Sequence, residues 1–355
     1  MKTTFALYGS GWRSEFFLRA AKYLPEKFEI SGVITRNDEK ASRFKREFGV
    51  NCYKTAEELL KTTTPQFIVL SVSASVNIDI ALSLLNKNIP VLLETPPAAN
   101  LEALAHFNNA LPAGAKIQIA EQYPFHPMHM ARLAWIASGK LGNVQHTQIS
   151  FSHAYHAVAL IRKYLGIGFE NAEITATSFP VNVVAGFTRE GEPQKETIVQ
   201  KAQTIAILKF DGGKTGMLNF ETDQHRSWVR SQIIQVKGDR GEIFNSNIKY
   251  LQNFNTPIES EFIRKDLGKE DNFEGYDLKG IIADGNWLYR NPYQRSRLTD
   301  DEIAVATCLE KMAAYVQGGK PFYGINEASQ DVYLSLLIEQ AISSGTSIQS
   351  ETQPW

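Results

Sequence analysis

Cysteine is scarce in this chain: only two occur in 355 residues. Cys52 and Cys308 have no CxxC partner, so they make neither a disulfide framework nor a thiolate zinc site. Cys308 falls on the apolar face of a predicted helix, where packing is the expected role. Neither charge sign dominates, with Lys+Arg 37 against Asp+Glu 38 and a formal charge of −1. Without a basic stripe or a charge block, a nucleic-acid or anionic-membrane surface is not expected. No uninterrupted apolar run approaches the ~18 residues of a membrane helix. The start, Met1-Lys2-Thr3-Thr4, lacks a signal-peptide layout, because the apolar run after it is short and leads into a glycine turn. These absences predict a soluble protein of the cytoplasm. Internal repeats and low-complexity tracts are also missing.

What is present suffices for a normal core: 43% of residues are hydrophobic and 21% charged. The length predicts two domains. The most informative stretch is Phe5-Ala6-Leu7-Tyr8-Gly9-Ser10-Gly11-Trp12-Arg13-Ser14. An apolar strand breaks into a glycine turn and then into a helix, the opening of a dinucleotide-binding βαβ unit. Gly9 permits the tight turn, and Gly11 lets backbone N–H groups approach a pyrophosphate. Ser14, where the pattern has Gly or Ala, is still small enough for helix–strand packing. The helix N-terminus offers its positive dipole to the phosphates.

Strands and helices alternate through the first third. Strands are predicted at 28–35, 67–72, 91–94 and 116–120, with helices at 38–48, 57–61, 77–85 and 101–111. Near-continuous apolar strands separated by helices imply a parallel sheet covered on both faces. Beyond about residue 122 the texture changes. A helix at 128–138 leads to a strand at 144–151 and a helix at 155–165. Strand-like stretches follow at 174–184, 203–210, 215–221 and 231–237, with hairpin-type breaks such as Asp211-Gly212-Gly213, which indicates an antiparallel sheet. Residues 253–297 read as a long irregular loop over a site or interface. Thr299-Asp300-Asp301-Glu302 is a capping box that opens one C-terminal helix, and 327–343 forms another.

The order of motifs resembles the Gfo/Idh/MocA oxidoreductase family. The resemblance rests on the glycine loop, Phe48-Gly49-Val50, Glu57-Glu58-Leu59-Leu60, Ile89-Pro90-Val91-Leu92-Leu93-Glu94-Thr95-Pro96 and Gln122-Tyr123-Pro124-Phe125-His126-Pro127. Gly139-Lys140-Leu141-Gly142, the helix carrying His156, and the C-terminal Gln353-Pro354-Trp355 also fit. The resemblance implies an α/β protein. An N-terminal Rossmann dinucleotide-binding domain over 1–122 would be followed by a C-terminal α+β domain over 123–355. That second domain would have an open-faced, mainly antiparallel sheet for substrate binding and oligomerisation, with the C-terminal helices free to pack back on the first domain.

Departures from the family pattern bear on function. The family's Glu-Lys-Pro lysine is replaced by Thr95, and its Asp-x-x-x-His pair maps to Ser152 and His156. Asn77 stands where a histidine is common, and some twenty residues before the His156 helix are missing. The missing lysine and short substrate region resemble the thiazolinyl imine reductase branch more than the inositol dehydrogenases. The catalytic candidates are His156, Tyr123 and Thr95. Imidazole titrates near neutrality, and the Tyr123 phenol could donate a proton or serve as an aromatic wedge between domains. Thr95 can hydrogen-bond but not act as a cationic acid. His153, one turn before His156, either orients it or lies outside the site. The cofactor-binding candidates are Gly9, Ser10, Gly11, Trp12, Arg13, Arg36, Ser71, Glu94 and Gln122. Thr35-Arg36-Asn37 lacks the acid that NAD sites place after the second strand. Arg36 suits a 2′-phosphate, so NADP is favoured over NAD. His126 and His129 lack a third ligand, and no metal is expected.

The function expected is NAD(P)-dependent hydride transfer on a sugar, a cyclitol or a related carbonyl or imine. The alternative is a nucleotide-binding sensor or scaffold that lost the chemistry. The partners expected are a small-molecule substrate and further copies of the chain, as a homodimer or homotetramer.

Overall fold

The computed structural model describes residues 2–268 and 277–355. The first half reads β1 (Thr3–Tyr8), α1 (Ser14–Tyr23), β2 (Phe28–Ile34), α2 (Asp38–Phe48), β3 (Cys52–Tyr53) and α3 (Ala56–Leu60). It continues through β4 (Phe67–Leu70), α4 (Asn77–Leu85), β5 (Val91–Leu93), α5 (Leu101–Ala110) and β6 (Ile117–Ile119). These strands form a six-stranded sheet in the order β3-β2-β1-β4-β5-β6, with every neighbouring pair parallel. Phe67–Leu70 and Val91–Leu93 are buried at every position, as strands covered on both faces require. The order reverses between β1 and β4, and a crevice opens at the carboxyl ends there. Local chemistry sets the helix ends: the Asn37 side chain accepts from the Lys40 N–H to start α2.

The second half begins with α6 (Pro127–Ala137), β7 (Val144–Ser150) and α7 (Ala154–Leu165). Next come β8 (Ala172–Val184), β9 (Ile198–Phe210), β10 (Thr215–Glu221), β11 (Ile233–Gly238), β12 (Gly241–Phe244) and β13 (Asn247–Asn253). After them lie β14 (Thr256–Glu261), β15 (Ile263–Asp266), β16 (Leu278–Ala283) and β17 (Asn286–Arg290). The chain closes with α8 (Asp300–Val316), α9 (Ile325–Ser344) and β18 (Ile348–Gln349). The large sheet runs β14-β13-β12-β11-β7-β10-β9-β8-β18. It is antiparallel except where β10 lies parallel to β7, so it is mixed. Ile149, Ile174, Ala206, Leu208 and Val236 are fully buried on the face that α7 and α9 cover. On the opposite face Phe179, Ile207 and Phe244 are exposed. α8 packs back on α1 of the first half, and its capping box forms, with Thr299 and Glu302 bonded reciprocally.

One expectation is corrected. Residues 253–297 are not an irregular loop, because β14 to β17 lie within them, and only 269–276 fall outside the described residues. β14 alternates half-buried and exposed positions, and β15 is exposed throughout. That polar edge character hid the strand pattern. The overlooked signal is Asp284-Gly285, both at positive φ (47° and 72°), which is the two-residue hairpin loop joining β16 to β17.

Candidate active site

Gly9 ends β1 with φ of +123°, and a Cβ there would stand 2.0 Å from the Ser71 carbonyl oxygen at the end of β4. Glycine is required for that backbone approach. Gly11 differs, because a Cβ there would meet no protein atom. Its open side faces a cleft of about 1450 Å³ between the two halves, at the carboxyl edge of the parallel sheet. All the candidate residues named above for catalysis and cofactor binding line this one cleft.

Several of them are engaged with protein partners. The loop is pinned at Ser10, whose Oγ accepts from Thr35 Oγ1 at 2.8 Å and whose carbonyl accepts from Lys40 Nζ at 2.6 Å. Arg13 is turned inward: Nε donates to Glu94 at 2.9 Å and Nη1 to Asp301 at 2.8 Å. Arg13 and Glu94 therefore tie the glycine loop to β5 and to the start of α8. Burial alone would raise the Asp301 pKa, but His126 and Arg13 hold the carboxyl well below the usual range. Burial raises the pKa of Glu94 against the pull of Arg13. At the end of β2, Asn37 is occupied in capping α2, and Asp38 is paired with Lys54. The Arg36 side chain also lines the cleft, with no ion pair or hydrogen bond among the described residues.

The opposite wall carries a cluster of titratable side chains. His156 Nδ1 lies 2.7 Å from Glu121 Oε2, and both residues are buried. An ionised carboxylate only accepts, so Nδ1 carries the hydrogen and Nε2 is left as an acceptor. Glu121 also accepts from the Tyr123 N–H through Oε1 at 3.2 Å. The Tyr123 ring stacks on His126 at 5.2 Å and lies 4.4 Å from the His156 ring. Burial raises the Tyr123 phenol pKa, and the charges of Glu121 and Asp301 add to the shift. This phenol is a proton donor at neutral pH. His153 also lines the cleft, 5.5 Å from the His156 ring, and burial, His156 and His225 lower its pKa to about 4.

Thr95 and Tyr155 both line the cleft, and the Tyr155 ring is 4.3 Å from that of His156. Asn77 does not reach into the cleft centre; its Nδ2 donates to the Pro96 and Pro97 carbonyls, both at 3.1 Å, and so secures the turn that presents Thr95. Ser152, at the family's aspartate position, is buried, and its hydroxyl has no partner among the described residues. Glu121, two residues beyond β6, brings a carboxylate to His156 instead. The sequence reading passed over Glu121, Tyr155 and Asp301. The available signal for Glu121 was a carboxylate immediately after the last parallel strand, on the ligand-binding edge of the sheet. His126 pairs with Asp301 at 3.3 Å and His129 bonds the Tyr164 hydroxyl at 2.5 Å, so neither imidazole is directed at a common point.

This combination of a parallel sheet and a glycine turn with a facing open sheet defines an α/β protein whose first half has the Rossmann dinucleotide-binding fold. Residues 3–118 match the profile of the Gfo/Idh/MocA oxidoreductase family, NAD-binding Rossmann fold. No curated protein sequence matches it. Among solved structures it is similar to a myo-inositol dehydrogenase from Corynebacterium glutamicum, with a TM-score of 0.69 at 17% identity, covering 99% of this chain and 100% of that one. It is also similar to levoglucosan dehydrogenase in complex with NADH and levoglucosan (TM-score 0.69, 12% identity, 98% and 99% covered). A third is the WlbA dehydrogenase from Bordetella pertussis, in complex with NADH and UDP-GlcNAcA (TM-score 0.65, 14% identity, 99% and 100% covered). At these identities the likeness speaks for the fold.

Proposed function

We propose that this chain transfers hydride between a nicotinamide cofactor and a sugar, a cyclitol or a related small carbonyl or imine compound, with His156 as the proton-transfer group. The observation that carries the reading is the Glu121–His156 hydrogen bond at 2.7 Å inside the cleft that the glycine loop opens into. The residues present fit the cofactor: Gly11 leaves its space clear, the loop is braced at Ser10, and Arg36 has an uncommitted guanidinium. Gly9 to Arg13, Ser71 and Gln122 would surround the dinucleotide, and Arg36 favours NADP through a bidentate contact to a 2′-phosphate. When bound, the nicotinamide supplies or accepts the hydride.

His156 Nε2 takes the hydroxyl proton when an alcohol is oxidised and returns it to oxygen or nitrogen when C=O or C=N is reduced. Glu121 fixes the tautomer and stabilises the imidazolium that forms. Tyr123 holds the substrate heteroatom with its phenol, and Thr95, on the turn that Asn77 secures, binds a neighbouring hydroxyl. The test is single-turnover hydride transfer across a panel of polyols, cyclitols, sugars and imines. His156→Ala should lower the rate by ~10²–10⁴ with NADPH affinity almost unchanged. Full activity in His156→Ala would remove it from the mechanism and leave Tyr123 as the acid. A wild-type protein that binds NADPH and turns over nothing in the panel would overturn catalysis in favour of a nucleotide-binding sensor.

A further inference from the structure

The cleft wall facing the glycine loop is made by two loops of the second half. One joins β8 to β9 and carries Arg189. The other follows β10, passes through Asp223 at φ of 62°, and makes the short turn Gln224–Arg226. The buried Gln224 side chain fixes this turn. Its Nε2 donates to the Ser150 carbonyl at 3.3 Å and the Ser231 carbonyl at 2.5 Å, and its Oε1 accepts from the Glu221 N–H at 3.0 Å. The loops touch backbone to backbone: a Cβ on Gly186 would stand 2.3 Å from the Arg226 carbonyl. The Arg189 guanidinium reaches across to lie 3.7 Å over the Trp12 ring, beside Gly11.

Neighbouring charges are matched, but these are not. Arg230 donates to the buried Glu221 at 2.9 Å, and Lys201 takes Asp223 at 2.7 Å. Arg189, Arg226 and His225 all line the cleft, and among the described residues their side chains have no ion pair or hydrogen bond. They also repel one another. After burial, Arg226 is the next cause that lowers the pKa of Arg189, and Arg226 and Arg189 both lower that of His225, with Asp223 opposing. His225 is then a neutral imidazole at pH 7, stacked on Phe220 at 6.2 Å. The nearby Asp223 carboxylate is taken by Lys201, and donors held on loops that a buried glutamine fixes match an oxyanion that accepts charge-assisted hydrogen bonds.

We propose that Arg189, Arg226 and His225 form a subsite for an anionic group, a carboxylate or a phosphate, on the substrate that enters this cleft. The inference rests on the functional reading above and narrows it to acid or phosphorylated derivatives of a sugar or cyclitol rather than neutral polyols. The dinucleotide's phosphates already have a cradle in the Rossmann half, whereas these three groups hang from the domain opposite.

The experiment is calorimetric titration of inorganic phosphate into the full chain saturated with NADPH, with chloride at matched ionic strength as the control. Phosphate should bind above the control. Arg226→Gln and Arg189→Gln should each weaken it about tenfold or more, and the NADPH Kd should move less than threefold. D-glucuronate and glucose 6-phosphate should displace phosphate, and D-glucose should not. No binding above chloride, or binding that both variants leave unchanged, overturns the subsite. Parallel losses of NADPH and phosphate assign the arginines to the cofactor's pyrophosphate and overturn the substrate assignment. Displacement by D-glucose as well, or by none of the three sugars, overturns it too. If neither NADPH nor NADH binds, the functional reading fails, and phosphate titration of the unloaded chain against Arg226→Gln still decides the anion site.

Discussion

Glu121 Oε2 accepts the Nδ1 hydrogen of His156 at 2.7 Å, across 35 positions of sequence and between β6 and α7. The carboxylate thus sets the tautomer of an imidazole on the opposite side of the domain junction. Glu121→Gln keeps the shape and removes the charge. It should lower kcat by about 10²-fold while leaving NADPH affinity within threefold. An unchanged rate would show that Glu121 only packs.

The two loop glycines should fail differently. Gly11→Val fills space that no protein atom occupies, so it should abolish NADPH binding with the circular dichroism spectrum and Tm retained. Gly9→Ala forces a Cβ to 2.0 Å from the Ser71 carbonyl and should lower Tm. Fluorescence titration and thermal melts separate the two, and undiminished NADPH affinity in Gly11→Val would sink the nucleotide site.

Arg36 should set the choice of cofactor. A charge-assisted contact to a 2′-phosphate contributes roughly 1.5–3 kcal/mol. Arg36→Ala should therefore weaken NADPH binding about tenfold or more and scarcely affect NADH. Equal losses for the two cofactors would mean that Arg36 stacks on adenine instead.

Asp301 joins Arg13 and His126 at the start of α8. Its carboxyl is held well below the usual range in the fold. The stability it contributes is present above the ordinary carboxylate pKa of ~4 and is lost as pH falls through the lower folded value. Asp301→Asn should lower unfolding stability at pH 7 by about 1–3 kcal/mol, because a buried arginine loses one of its two partners. Below pH ~4 the variant should lose less further stability than the wild type. Urea unfolding between pH 7 and 3 checks both statements.

The open sheet face predicts self-association as a homodimer or homotetramer. Phe179, Ile207 and Phe244 are 42%, 40% and 41% exposed on one side of it, and apolar groups spread over such a face are normally covered by a partner. Light scattering should show the oligomer at micromolar concentration, and Ile207→Asp should shift it to monomer. A wild-type monomer at that concentration contradicts the assignment.

The sequence by itself determined the elements whose signals are local. The Phe5–Ser14 strand–turn–helix, the apolar runs of β4 and β5, and the Thr299–Glu302 capping box each depend on neighbouring residues. Their hydrophobic period or side-chain bonds are therefore legible one segment at a time. The candidate residues were legible too, because the carboxyl ends of parallel strands converge by topology, and all of them line one cleft. Only the tertiary structure decided what those residues are paired with. Arg13 turns inward to Glu94 and Asp301, Asn77 secures the Thr95 turn, and Glu121 replaces the carboxylate that Ser152 lacks. Such pairings join positions 19 to 288 residues apart. They depend on which groups burial leaves without water, and the buried charge of Arg13 must find a partner wherever the fold supplies one. β15 was hidden for a related reason: an edge strand exposed at every position has no buried face to impose alternation, and its pairing is fixed by its neighbour rather than by its own sequence.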